Sequence, residues 1–171
     1  REDMKKKPVA IVMGSDSDLP IMQEAAKMLD EFKVGYEMTI ASAHRSPDLT
    51  AAFAKNASQK GHEVIIAGAG SAAHLAGVIA SKTTLPIIGV PIDSSSLKGL
   101  DALLSTVQMP GGVPVASMAI GKAGAKNAGV YAVQILSLKY PELKKKLTQY
   151  KKRLASGVTQ KARRLAQNLN K

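Results

Sequence analysis

The sequence predicts an α/β fold, a three-layer αβα sandwich with a parallel sheet between helices, and three features carry that prediction. Short apolar runs such as Val9-Ala10-Ile11-Val12-Met13 have the length and continuous hydrophobicity of strands buried on both faces. Helical spacing follows each run, so strand and helix alternate along the chain. Three of the strand-to-helix joints are small polar turns rich in Gly, Ser and His. Such turns sit at the carboxyl ends of strands, where open α/β sheets bind their ligands.

The first strand ends in Gly14, and a helix follows with Asp18 as a candidate N-cap and Pro20 in its first turn. Ile21, Met22, Ala25, Ala26, Met28 and Leu29 give that helix one apolar face. Tyr36-Glu37-Met38-Thr39-Ile40-Ala41 is the second strand. Ser46, Pro47 and Asp48 then supply a cap, a first-turn proline and an acid suited to the helix dipole, for a helix running to about residue 60 and stopped by Gly61. Val64-Ile65-Ile66-Ala67 is the third strand and residues 72–81 the third helix. A fourth strand lies between Pro86 and Pro91, followed by a helix over 100–107. A fifth strand falls within 115–119 and an Ala-rich helix over 123–138.

Pro141 opens a last helix, with Leu143, Leu147, Tyr150, Leu154 and Val158 on one stripe and lysines opposite. It follows the αβα body, so its stripe covers its own domain or a neighbour's, and a neighbour is the preferred expectation. The expected organisation is a tail over 1–7, a catalytic domain over 8–140 and a basic helical extension over 141–171 that packs on a neighbouring subunit.

The net charge of +11 resembles a nucleic-acid signal until it is located. Residues 139–171 carry 11 Lys/Arg against the single acid Glu142, whereas residues 1–138 are nearly neutral. The tail brings no aromatic-rich surface with it, so a nucleic-acid partner is not expected. The chain has no cysteine, which removes disulfides, thiolate metal sites and thiol nucleophiles, and agrees with a cytoplasmic location. No secretory signal and no membrane-spanning run is read in it. His44, His62 and His74 lack metal-ligand spacing, so no metal is expected, and His62 reads as exposed.

The turns carry the chemistry. In Gly14-Ser15-Asp16-Ser17-Asp18, backbone amides at a helix start and two hydroxyls suit an anion. The two acids have the wrong sign for phosphate, so at least one must point away; Asp18 either caps the helix or accepts from ribose hydroxyls. In Ser42-Ala43-His44-Arg45-Ser46-Pro47, Arg45 is a permanent cation whose planar fork suits phosphate or carboxylate, and His44 can move a proton near neutral pH. Gly68-Ala69-Gly70-Ser71-Ala72-Ala73 matches the dinucleotide fingerprint G-x-G-x-x-A, but at the third strand, and the acid it requires would have to be Asp93. A smaller ligand approached by the glycine backbone is the better reading, with His74 either a capping or a ligand-facing residue. Residues 109–114, Met-Pro-Gly-Gly-Val-Pro, read as an ordered loop or cover.

Together, Gly14-Ser-Asp-Ser-Asp18, Ser42-Ala-His-Arg-Ser-Pro47, residues 67–75, Gly89-Val-Pro91 and residues 105–114 resemble the 5-(carboxyamino)imidazole ribonucleotide mutase family of purine biosynthesis. The resemblance runs from about residue 9 to 138. It implies a flavodoxin-like fold, a homo-octamer, no cofactor, and transfer of a carboxylate from an exocyclic nitrogen to a ring carbon of a small ribonucleotide. It maps the catalytic histidine onto His44 and a second histidine onto His74. Substrate-binding positions fall on Ser15, Asp18 and Arg45, with Ser42, Ala69, Gly70, Ser71 and Leu75 lining the pocket. A related branch that carboxylates aminoimidazole ribonucleotide directly with carbon dioxide carries Lys after the first histidine and lacks the second, so Arg45 and His74 favour the mutase. The usual family run Gly-Gly-Ala-Ala-His-Leu-Pro-Gly is altered here, with Ser71 for Gly and Ala76 for Pro. Two unrelated readings remain from the residues: a nicotinamide-dependent oxidoreductase resting on the third turn, and a polyanion-binding protein resting on the tail.

Overall fold

A computed structural model describes residues 7–169. Five strands, β1 (Val9–Met13), β2 (Tyr36–Ile40), β3 (Val64–Gly70), β4 (Ile87–Ile92) and β5 (Ala116–Ser117), form one sheet in the order β2-β1-β3-β4-β5. All four pairings are parallel. This is the flavodoxin-like order, in which the winding reverses between β1 and β3 and opens a crevice there. Met13 lies level with Ile40 on one side and Gly68 on the other, so β1 and β2 end together and β3 runs two residues further, to Gly70, on the same edge.

Side chains alternate across the sheet and fill two cores. Val9, Ile11, Met13, Val64, Ile66 and Val90 face α1 (Leu19–Phe32) and α5 (Gly121–Leu136). Ala10, Val12, Ile65, Ala67 and Ile87 face α2 (Pro47–Asn56) and α3 (Leu75–Ala80). α4 (Leu100–Val107) closes the β4 end of that second face, where Thr106 packs over Gly89. Among the described residues, the buried members of the two cores are aliphatic residues and methionine plus Phe32, with Phe53, Tyr36, Tyr140 and Tyr150 packed at their margins.

Several boundaries differ from expectation for local reasons. β4 continues through Pro91 to Ile92 because β5 pairs only with Ile88 and Gly89, so the side of Pro91 away from β3 needs no ladder donor. α3 starts at Leu75, not residue 72, because Ser71 turns left-handed at φ +55°. α2 ends at Asn56 and hydrogen-bonded turns complete the path to Gly61. Ser46 does not cap α2 with its hydroxyl; the Oγ accepts from the Ser42 amide (3.0 Å) and donates to the Ser42 carbonyl (3.1 Å), tying the turn to itself. His62 is buried, not exposed: its Nδ1 lies 2.7 Å from the Lys7 carbonyl and so donates, while Nε2 faces the Glu37 carboxylate at 3.6 Å.

The last helix, α6 (Pro141–Leu169), divides at its middle. Leu143 and Leu147 are buried in the α1–α5 core, and Tyr150 meets Phe32 edge to face. Arg153 closes this contact with an ion pair to Glu31 at 2.6 Å. Beyond it, Leu154, Val158, Leu165 and Leu169 continue the stripe with 52–77% of their surface exposed.

α1 and α5 approach closely because Gly129 and its small neighbours replace side-chain bulk with backbone contact. A Cβ on Gly129 would stand 2.7 Å from the Ala25 carbonyl oxygen and 2.8 Å from the Met28 Cβ. Alanine gains about 1 kcal/mol of helix propensity over glycine. An unyielding backbone clash typically costs about 1–3 kcal/mol and should win. Gly129→Ala is therefore expected to lower the melting temperature by several degrees; an unchanged or higher value in thermal unfolding would contradict this packing.

Candidate active site

The joints after β1, β2 and β3 enclose a cavity of about 510 Å³ at the carboxyl edge of the sheet. All ten expected site residues line it: Ser15 and Asp18; Ser42, His44 and Arg45; Ala69, Gly70, Ser71, His74 and Leu75. They come from three sequence segments separated by whole helices, and only parallel strands in this order make them neighbours.

The first joint is a single 3-10 turn, Asp16–Asp18, leading into α1. The Asp18 carboxylate reaches back to accept the Ser15 amide at 3.0 Å, and Ser15 Oγ accepts weakly from the Ser17 amide at 3.4 Å. Asp18 is thus a cap of this turn and makes no side-chain cap on α1 itself. It is buried, whereas Asp16 turns to solvent and stays outside the cavity lining. Burial raises the Asp18 carboxyl above its ordinary value, while the Ser15 and Gly14 amides and the Arg45 charge hold it back.

The second joint is braced on the first. The Arg45 amide donates to Ser42 Oγ at 3.2 Å, and its guanidinium donates to the Gly14 carbonyl at 3.1 Å. Arg45 keeps further donors for an anion, since a guanidinium carries five. Ser15 and Ser17, with hydroxyls 3.0 Å apart, stand on the same side.

The third joint brings the two histidines together. His44 Nε2 lies 2.8 Å from His74 Nδ1, with rings nearly perpendicular and centroids 4.9 Å apart. One proton must sit on that shared edge, given by one ring and received by the other. His74 is therefore a cavity residue and makes no side-chain cap on α3. Ser71 holds a φ of +55°, which a glycine adopts freely and a serine holds at a cost of about 1–2 kcal/mol. That strain is the structural consequence of serine at this place.

The cavity also takes in Ser17, whose hydroxyl the first turn already offered to an anion, and Ser94, which sequence reasoning left out of the site. Ser94 follows β4, and the strand-end rule that singled out the other joints would have reached it had β4 been carried past Pro91. Asp93, the acid that a dinucleotide reading requires, is absent from the lining; its carboxylate sits beside Gly121 at the start of α5. That removes the support for the oxidoreductase reading. Among the described residues no three His, Asp or Glu side chains converge as metal ligands, and no helix is long and apolar enough to cross a membrane.

Comparison with known proteins leads the same way. Residues 8–157 match the family model described as AIR carboxylase. A Thermotoga maritima protein named N5-carboxyaminoimidazole ribonucleotide mutase is 59% identical over 159 residues, which is 93% of this chain and 92% of its own length. The Bacillus subtilis protein of that name is 57% identical over 141 residues, 82% of this chain and 87% of its own. The crystal structure of Treponema denticola PurE superposes with a TM-score of 0.81 at 27% identity, covering 89% of this chain and 94% of that one.

Because burial raises the Asp18 carboxyl, folding favours its protonated form. This contribution is complete below the unfolded value of 3.8 and is lost as pH rises through the raised folded value. Asp18→Asn keeps an acceptor for the Ser15 amide without the charge. The melting temperature of the variant relative to the wild type should therefore become more positive from about pH 3 to about pH 7. A difference that stays flat across that range would count against a carboxyl governed by burial.

Proposed function

The chain belongs to the AIR carboxylase family, and we propose that it is an N5-carboxyaminoimidazole ribonucleotide mutase, moving a carboxylate from an exocyclic nitrogen to a ring carbon of its nucleotide. The observation that carries this reading is the 2.8 Å contact between His44 and His74 inside a cavity shared with Arg45. The direct carboxylase branch lacks the second of these histidines and has Lys where Arg45 stands, so this contact favours the mutase over it.

Transfer runs through four linked events. The bond between the exocyclic nitrogen and the carboxyl carbon breaks, a proton goes onto that nitrogen, and carbon dioxide is set free in the site. The electron-rich ring carbon then attacks the carbon dioxide, and the proton on that ring carbon leaves. One imidazole that first gives and then takes a proton serves both halves, so the atoms balance with no co-substrate. His44 takes that role, and His74 holds its ring and shares its proton across the common edge. A positioned acid–base of this kind contributes about 10²–10⁴-fold in rate. Retaining carbon dioxide over the ring contributes more, because recapture becomes intramolecular. Arg45, Ser15 and Ser17 are suited to the phosphate, and the Asp18 carboxylate to ribose hydroxyls.

Subunit association belongs to the same proposal. The outer half of α6 carries Leu154, Val158, Leu165 and Leu169 in the open, and Leu97, Leu100, Leu104 and Val107 form an exposed stripe on and before α4. Apolar stripes of this length are burial surfaces. Their occupant in this reading is a second copy of the chain, with α6 packing on its neighbour in a homo-octamer. The lack of cysteine suits a reducing compartment, and the cytoplasm is the proposed location.

His44→Asn should cut kcat by at least about 10²-fold while equilibrium binding of the substrate survives. Wild-type turnover in that variant would overturn the assignment. Label from bicarbonate in the medium should stay out of the product during single turnovers; prompt uptake would favour direct carboxylation. Ending the chain before Leu154 should reduce the assembly mass measured by light scattering, and an unchanged mass would reject the role given to α6.

A further inference from the structure

Ser94 enters the cavity from the end of β4, a strand that supplies none of the ten expected site residues. Gly70 pairs with Ile92 in the sheet, so Ser94, two residues further on, overhangs the start of the third joint. The contact is close: a Cβ on Gly70 would fall 1.8 Å from Ser94 Oγ and 2.8 Å from its Cβ. The serine side chain occupies the space that a side chain at Gly70 would need. Ser94 is an exposed residue and, among the described residues, its hydroxyl makes no hydrogen bond to protein. A donor is thus held at the cavity wall with nothing in the protein to receive it.

The order of the strands says which end of a ligand it meets. The anion-binding groups, Arg45, Ser15 and Ser17, stand on the joints after β2 and β1. β4 lies two strands beyond β1 across β3, a separation of about 10 Å at roughly 4.8 Å per strand. A phosphoribosyl group anchored at the first wall extends its heterocycle toward the His44–His74 pair and the third joint. Ser94 stands on the far side of that joint, on the ring end of the cavity.

We infer that Ser94 contacts the migrating group, its hydroxyl donating a hydrogen bond to a carboxylate oxygen and holding the freed carbon dioxide over the ring. This deepens the mutase reading and rests on it. Ser94 moves no proton in the net reaction. It limits the escape of carbon dioxide between breaking the nitrogen–carbon bond and forming the carbon–carbon bond.

Ser94→Ala removes the hydroxyl, the atom packed nearest Gly70, and keeps the Cβ beside it, so Ser94→Thr is needed to separate the donor from packing. Turnover should fall about 10- to 100-fold, the loss expected for one hydrogen bond to a charged oxygen, with KM changed by no more than about threefold. With substrate labelled in its carboxylate, Ser94→Ala should also release a larger fraction of label as carbon dioxide per product formed. Ser94→Thr, which restores a hydroxyl, should recover both quantities. Wild-type kcat and label retention in Ser94→Ala, alongside an inactive His44→Asn, would overturn the role of Ser94 and leave the mutase reading intact. Equal losses in Ser94→Ala and Ser94→Thr with no added label escape would reduce Ser94 to packing. No turnover by the wild-type chain would instead remove the reading on which this rests.

Discussion

Parallel pairing is the constraint from which the remainder of this molecule follows. When every strand runs in one direction, every strand-to-helix joint emerges at one edge, and residues remote in sequence meet there. Here β1 lies between β2 and β3 and pairs in register with both, which brings Ile40, Met13 and Gly68 level. The joints carrying Ser15, His44 and His74 then emerge at the same edge of the sheet. The change in winding between β1 and β3 leaves the gap that the cavity fills.

Small residues make that edge usable. Gly70 yields its side-chain volume to Ser94, and Gly129 lets α5 lie directly against the α1 backbone. Hydrogen bonds then stiffen what the small residues bring close. Ser46 ties the second joint to Ser42, Arg45 ties it to Gly14, and Asp18 closes the first joint on Ser15. Each bond links joints or closes a turn, so the cavity wall has its shape before any ligand arrives. Preorganisation of this kind lets binding energy act on the reacting atoms instead of on loop ordering.

Charge is separated from chemistry in this chain. The basic excess lies in residues 139–171, while the cavity relies on one guanidinium, two imidazoles, one buried carboxyl and backbone amides. α6 spends its first half on its own core, through Leu143, Leu147 and Tyr150, and projects the second half outward. An isoelectric point alone would have pointed to a polyanion, yet most of the lysines line the solvent face of a helix whose other face is apolar, and Lys146 donates to the Phe32 carbonyl.

Five strands, their helices and the three joints were legible in the sequence because burial on both faces demands continuous apolar runs and tight joints demand glycine and serine. His44, Arg45 and His74 stood out for the same reason, as titratable or charged groups at strand ends. Three-dimensional packing decided the rest. The burial of His62 against Lys7 depends on a carbonyl 55 residues away, and the backward reach of Asp18 depends on the depth of its turn. The continuation of β4 past Pro91 depends on how short β5 is. Periodicity reports which face of an element is apolar; only the assembled sheet states the distance between two rings that lie 30 residues apart in the chain and 2.8 Å apart in space.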